Sequence, residues 1–288
     1  MIGAMSEESP QILAQRLAAV IAPRGRVLTA YSGGVDSTLA AAAARRVLGK
    51  CNAPAALGDS ASLPRRELED ARRLAVALDL ELHLLNPGEQ EDADYQANDG
   101  RRCFHCKTHL YAAMGNLARQ LKVTHIANGA NLDDQEDYRP GLQAAKNLNV
   151  VSPLVEAGFT KADVRALARH WGLPNADKPA APCLASRIPH GTPVTLQRLQ
   201  QVEDAEDALL SLGLRGLRVR HHESVARLEL PPEAMRELMR DDALRARVIA
   251  AVKAAGFTFV ALDLEGFRSG SGNALLTIGT SDGASVLR

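Results

Sequence analysis

Apolar positions along this chain fall into two alternating patterns. Short, nearly continuous runs at residues 26–31, 53–57, 81–85 and 123–128 suit buried strands of a parallel sheet. Between them the apolar positions recur at helical spacing. Residues 9–21 carry Ile12, Leu13, Leu17, Val20 and Ile21 on one side, and 38–48 are alanine-rich. Residues 64–80 open with a proline suited to a first helical turn, and 103–121 make a longer helix. Strand and helix in alternation predict an α/β fold, a doubly wound parallel sheet covered on both faces, with ligand outside the carboxyl ends of the strands.

The pattern then changes. Residues 129–141 are a polar loop rich in Asp and Asn, 150–155 return to an apolar run, and 160–170 read as a helix stopped by Trp171-Gly172-Leu173-Pro174. Residues 176–195 combine prolines and glycines with little periodicity, as a linker that also carries chemistry would. Beyond them come a helix at 196–212, paired strands at 216–222 and 226–230, a helix at 233–255 and a strand at 257–264, which together predict a smaller C-terminal α+β domain. The expected division is 1–182, 183–272, and a tail at 273–288, with partial disorder from residue 269 onward. There is no internal repeat.

At 288 residues the chain is long enough for one large domain or two smaller ones. Its 34 basic and 34 acidic side chains cancel, so no global field draws it to nucleic acid or a membrane surface. No run approaches a membrane span, and residues 1–10 lack the order of a signal peptide. The expectation is a cytoplasmic protein. Four cysteines in a reducing compartment point to ligands, nucleophiles or buried thiols rather than disulfides.

The first strand and the alanine-rich helix are joined by Ser32-Gly33-Gly34-Val35-Asp36-Ser37. Glycines there remove Cβ atoms that would block a close backbone approach, and the free N–H groups of a helix start face the same space, where an anion fits. Ser32 and Ser37 offer hydroxyl donors to phosphate oxygens, and Asp36 can hold the Mg²⁺ that neutralises pyrophosphate as it leaves. No Gly-Lys-Ser/Thr closes the loop, so it is not of the Walker type. The run resembles the signature of the PP-loop ATP pyrophosphatases, which release pyrophosphate and leave AMP on an oxygen of the substrate. ATP is then expected at Ala30, Ser32, Gly33, Gly34, Asp36 and Ser37.

Cys103 and Cys106 form a Cys-x-x-Cys at a helix start, and Cys183 stands in the linker-like segment. Three thiolates on a four-iron cluster leave one iron open for an exogenous sulfide or substrate. A zinc site of the same cysteines with a histidine such as His105 is an alternative, as is a thioredoxin-like redox pair. Cys51, near a strand start, reads as a buried thiol.

Taken with Arg102-Cys103-x-x-Cys106-Lys107, Asn128-Gly129-Ala130-Asn131-Leu132-Asp133-Asp134, Asp137-Tyr138-Arg139-Pro140-Gly141 and Cys183-Leu184-Ala185-Ser186-Arg187, the chain resembles the LarE family. These are ATP-dependent sulfur transferases that build the nickel-pincer nucleotide cofactor of lactate racemase. The likeness runs from about Gln11 to Ser271 and ends on Leu262-Asp263-Leu264-Glu265-Gly266-Phe267-Arg268-Ser269-Gly270-Ser271. It implies adenylation of a carboxylate of pyridinium-3,5-biscarboxylic acid mononucleotide, loss of pyrophosphate, and displacement of AMP by sulfur to give a thiocarboxylate. In members with a single cysteine, the residue matching Cys183 gives up its sulfur and ends as dehydroalanine. The additional Cys103 and Cys106 resemble the three-cysteine members, in which a [4Fe-4S] centre carries a labile sulfide supplied from outside.

The same resemblance places Gly129, Asn131 and Asp134 near ATP, with loop stabilisation as the alternative for the last two. It also assigns Arg187, Arg218 and Arg220 to the substrate's anionic groups and Glu206 and Glu229 to the active site. Alternation puts Arg218 and Arg220 on one strand face, and guanidinium forks suit phosphate and carboxylate. For the two acids a solvated surface position is the competing reading. Trp171 reads as core rather than a stacking platform. The family's habit of assembling into rings implies a homo-oligomer. Rival functions are a PP-loop tRNA thiolase, which needs a basic RNA surface not visible here, an amide-forming ligase, which needs no cysteine set, and a nucleotide-binding metal or redox sensor.

Overall fold

A computed structural model of the protein describes residues 8–135 and 140–268. They fall into two compact units. The first holds the described residues through Asp92 together with Arg101–Ala181, and the second holds Ala93–Gly100 and the described residues from Pro182 onward.

In the first unit α1 (Pro10–Ile21), β1 (Val27–Ala30), α2 (Val35–Leu48), β2 (Ala55–Gly58), α3 (Arg65–Ala77) and β3 (Leu82–Leu85) follow in turn. After α4 (Ala93–Gln96), which belongs to the second unit, come α5 (Arg102–Leu121), β4 (His125–Ala127), α6 (Pro140–Asn147), α7 (Pro153–Glu156) and α8 (Lys161–His170). All four strands are parallel, in the order β3-β2-β1-β4. Both faces are covered, as the strand pattern requires. Leu28 and Ala56 pack with Tyr111 and Met114 of α5 and Ala144 of α6, whereas Ala55 and Leu57 pack with Leu68, Ala71 and Ala75 of α3. Leu13, Leu17 and Ile21 of α1 meet Leu39 of α2 and Val164 and Leu167 of α8. Each such fully buried aliphatic side chain contributes about 1.5–3 kcal/mol. The alanines of α2 from Ala40 to Ala44 are all buried, so their small size sets how closely neighbours approach.

This order puts β1 and β4 side by side where the winding reverses, and the turn after β1 lies at that switch point, the usual ligand crevice of such sheets. Several elements differ from the sequence reading. α2 begins at Val35 rather than at residue 38, because Gly34 in an extended conformation (φ −74, ψ 155) caps it. α6 starts inside the expected polar loop. The apolar run at 150–155 yields only a bridge from Val151 to Ala127 and the short α7. Asp137, Tyr138 and Arg139 lie outside the described residues, as does everything from Ser269 to Arg288.

The second unit adds α9 (Leu196–Ser211), β5 (Arg218–His222), β6 (Val225–Glu229), α10 (Pro232–Arg240), α11 (Asp242–Ala254) and β7 (Phe259–Leu262). β5 and β6 form the expected antiparallel pair, and β7 joins β6 in parallel. One face of this sheet, through Val219, Ala226 and Leu228, packs on Leu209 of α9, Leu238 of α10 and Val248 and Val252 of α11. The single helix expected over 233–255 is broken at Asp241 (φ −100, ψ 101), whose carboxylate accepts the Leu244 N–H at 2.9 Å and caps α11. No described helix is long and apolar enough to cross a membrane.

His221 on β5 is 2 % exposed, its Nδ1 has no partner, and it stands edge-on to Phe257 with centroids 5.3 Å apart. Burial first, and the Arg198 charge second, push its pKa below the ordinary value near 6.5. The unfolded chain therefore binds more protons than the folded one as pH falls through that value, so His221 stabilises the fold fully above about pH 6.5 and progressively less below it. Urea unfolding at pH 7.5 and 5.5 is expected to show a smaller loss of stability for His221→Gln than for the wild type. Equal losses would rule this out.

Candidate active site

β1 ends at Ala30 and delivers Tyr31, whose hydroxyl donates to the Ala71 carbonyl at 2.9 Å and whose pKa burial raises to about 12, so it stays neutral. Gly33 follows in the left-handed region (φ +74), and a Cβ there would stand 2.7 Å from Ala71 Cβ. Only glycine meets both the dihedral and the clearance. The turn then closes on itself. Ser37 Oγ accepts the Ser32 N–H at 3.1 Å, lies 3.0 Å from Ser32 Oγ and donates to the Gly34 carbonyl at 3.1 Å. Gly129, just past β4, presses backbone against α2, where a Cβ would lie 2.6 Å from the Ser37 nitrogen. Its glycine is thus required by packing on the first helical turn.

Asp36 points from that first turn into a small polar network. Lys161 Nζ donates to its Oδ1 and Oδ2 at 2.7 and 2.5 Å, and Asn131 Nδ2 donates to Oδ1 at 3.1 Å. Asp134 accepts the Asn131 N–H at 3.1 Å, and the Asn131 Oδ1 accepts the Asp133 N–H at 3.0 Å. Lys161 is the first residue of α8, fixed by a capping box between Thr160 and Asp163 and by its own N–H bonded to Asp133 at 3.1 Å. Sequence reasoning missed this lysine. It is 125 residues from Asp36, and a lysine opening a helix carries no local signal. Trp171 packs at the edge of the α1, α2, α8 core, with the Arg46 guanidinium 4.4 Å above its ring.

Cys103 and Cys106 lie in the opening turns of α5, exposed and half-buried respectively, and neither is in a disulfide. Cys183 belongs to the second unit, where it is half-buried and precedes a short 3₁₀ turn, Leu184–Arg187. Cys51 corrects the sequence reading. It sits in the 3₁₀ turn Lys50–Asn52 and is exposed, because the strand begins only at Ala55.

In the second unit the face of the sheet opposite its apolar core is charged. Arg218 and Arg220 of β5 lie across from Glu229 and Arg227 of β6 in register. Glu206 and Glu229 are 7 % and 1 % exposed, which excludes the solvated-surface reading for both. Glu206 receives Arg187 in a two-pronged pair at 3.0 and 3.1 Å and also accepts the Val219 N–H at 3.0 Å. Arg220 pairs with Glu229 at 2.8 Å and donates to the Ser186 carbonyl at 2.8 Å. Arg187 further donates to the carbonyls of Pro182 and Cys183 at 2.6 and 2.9 Å. Two buried guanidinium groups thus hold the backbone around Cys183. Arg218 lies over the Phe267 ring at 5.0 Å, and burial, then the neighbouring Arg187 charge, lowers its pKa.

A parallel doubly wound sheet with a Ser-Gly-Gly-Val-Asp-Ser turn between its central strand and helix defines an ATP-using protein of the PP-loop class. No family model matches the chain. It is 44 % identical over 252 residues, 88 % of its length and 93 % of the relative's, to the uncharacterized protein slr1717 of Synechocystis sp.. It is 36 % identical over 261 residues, 91 % of its length and 94 % of the relative's, to the pyridinium-3,5-bisthiocarboxylic acid mononucleotide synthase of Lactiplantibacillus plantarum. A more distant likeness, 28 % over 189 residues covering 52 % of this chain and 53 % of the other, is to the tRNA-specific 2-thiouridylase MnmA of Moorella thermoacetica. The chain belongs to the LarE family of ATP-dependent sulfur transferases.

Gly129→Ala is expected to destabilise the fold by about 1–3 kcal/mol through overpacking and to weaken ATP binding. Gly115→Ala in α5, where an added methyl meets only the Arg119 side chain at 3.9 Å, is expected to stabilise by about 0.5–1 kcal/mol. Thermal denaturation with ATP titration checks both. A Gly129→Ala protein as stable and as avid as wild type would overturn the packing argument.

Proposed function

We propose that the protein adenylates the carboxylates of pyridinium-3,5-biscarboxylic acid mononucleotide with MgATP and converts them to thiocarboxylates, in the biosynthesis of the nickel-pincer nucleotide. The observation that carries this reading is the likeness to the Lactiplantibacillus plantarum synthase over 94 % of that protein, joined to a phosphate turn built around Gly33 and Ser37. A substrate carboxylate oxygen attacks the α-phosphorus of ATP, the bond to the bridging oxygen breaks, and pyrophosphate leaves with the electron pair. A carboxylate resists nucleophiles until one oxygen becomes a good leaving group, and AMP is one. A sulfur nucleophile then adds to the activated carbon and AMP departs.

In this reading Gly33, Gly34, Ser32 and Ser37 receive the departing pyrophosphate through N–H and O–H donors. Asp36 is the carboxylate for the Mg²⁺ that accompanies ATP, and Lys161 is the cation then left for phosphate oxygens. Ala30, Gly129, Asn131 and Asp134 shape the ATP side. Arg218, with Arg187, Arg220, Glu206 and Glu229 behind it, receives the anionic groups of the substrate, because guanidinium forks match phosphate and carboxylate. Release of pyrophosphate from ATP that depends on the carboxylated pyridinium nucleotide tests the reaction. Pyrophosphate release stimulated by transfer RNA instead would replace it with tRNA thiolation.

Cys103, Cys106 and Cys183, none of them in a disulfide, carry thiols that are soft donors of the kind a [4Fe-4S] cluster takes. A cluster held by these residues would supply a labile sulfide, replenished from an external donor, whereas zinc on the same thiols would not. Anaerobically purified protein is expected to contain iron and acid-labile sulfide, and Cys103→Ala, Cys106→Ala and Cys183→Ala are each expected to lose both. Stoichiometric zinc without iron would sink the cluster. Mass spectrometry after several turnovers separates the sacrificial route, since an intact Cys183 excludes conversion to dehydroalanine. The protein is further read as a cytoplasmic homo-oligomer, and light scattering tests the assembly.

A further inference from the structure

We infer that Asn175 is a positioning residue for the phosphate turn, holding the Gly33 peptide so that the Gly34 N–H faces the pyrophosphate of ATP. The inference rests on the reading of the turn as a pyrophosphate grip. Asn175 follows Leu173-Pro174 after α8 and is 6 % exposed. Its Nδ2 donates to the Gly33 carbonyl at 2.9 Å and to Thr38 Oγ1 at 2.9 Å, which uses both amide hydrogens. Thr38 lies in α2 and is fully buried, so one amide ties the turn to the helix it opens.

The direction of these bonds decides what they do. A trans peptide carries its C=O and N–H on opposite sides. Anchoring the Gly33 carbonyl on Asn175 therefore turns the Gly34 N–H the other way. Gly34 is the N-cap of α2, and its N–H lies outside the helical ladder. Gly33, at φ +74, and Gly34 both lack side chains, so neither residue's own side chain holds the peptide between them. An outside tether is therefore what fixes the peptide that follows it.

The position also carries a cost that packing alone does not explain. The Oδ1 of Asn175 is buried without a partner, and a leucine of similar shape would avoid that. What the amide supplies in return is the pair of donors. A carboxyl at the same place supplies one donor when protonated and none when ionised, which gives a readout that packing does not move.

Inorganic pyrophosphate binding, measured by calorimetry on the full chain, tests this with wild type, Asn175→Leu and Asn175→Asp. Asn175→Leu is expected to weaken binding about tenfold or more, the scale of one to two lost hydrogen bonds. Asn175→Asp is expected to be equally weak at pH 8 and to regain affinity relative to wild type as the pH falls to 6, while the ratio of Asn175→Leu to wild type stays flat. In wild type the Gly34 amide resonance is expected to shift on adding pyrophosphate, and in folded Asn175→Leu to shift less. Pyrophosphate binding by Asn175→Leu as tight as by wild type, or no pH-dependent recovery in Asn175→Asp, would overturn the inference alone. Failure of wild type to bind pyrophosphate would overturn the ATP reading and this inference with it.

Discussion

The first turn of α2 can work as an anion site only if backbone, not side chains, surrounds it. Gly33 packs against Ala71 of α3, where an added Cβ would be 2.7 Å from another carbon, and Gly129 packs against α2, where an added Cβ would be 2.6 Å from the Ser37 nitrogen. Both distances lie well inside that at which two carbon-sized atoms attract. The smallness extends outward. Ala71 faces Gly33, and Ala41 of α2 packs with Ala55 and Leu57 of the sheet beneath it. Enlarging Gly129 would push the helix start away from the loop after β4. The Asp36, Asn131 and Lys161 network spans that same gap.

The network has a second consequence. Asp36 stands at a helix N-terminus, where its charge is favoured, and it receives Lys161 from the N-terminus of another helix, α8. Lys161 is one-third exposed, so the pair is reachable from solvent. Its contribution to stability is correspondingly modest. What the pair provides is a cation and an anion held together beside the turn after β1.

The second unit uses charge differently. Arg187 with Glu206 and Arg220 with Glu229 are buried pairs, and burial of ions gains little net stability over apolar packing. Their remaining donors go to the carbonyls of Pro182, Cys183 and Ser186, three backbone groups in a segment with no ladder of its own. The Cys183 carbonyl also accepts the Ser186 N–H at 3.0 Å and the Ser186 hydroxyl at 2.7 Å. The arginines add to this local turn and tie the cysteine backbone to the buried acids. Arg187 was read from the sequence as a substrate contact, and its guanidinium is already bonded to Glu206 and to these carbonyls.

The sequence by itself determined the alternation of strands and helices, the parallel sheet, the α+β character of the second half and the glycine turn between the first strand and its helix. Each of these rests on local pattern: period, glycine placement and capping residues within a few positions of one another. It misplaced the α6 helix, and also the start of α2 and the Asp241 break, at each of which one cap residue decides the backbone. It could not decide that Lys161 would meet Asp36, that Asn175 would reach Gly33, that Cys51 would be exposed, or that Glu206 and Glu229 would be buried. The Lys161 and Asn175 contacts depend on which faces meet after the chain has returned from 125 and 142 residues away, and the burial of Glu206 and Glu229 on how α9 and the second sheet pack. Only the tertiary structure sets that distance, because side-chain type fixes what a residue can bond, whereas packing fixes what it finds.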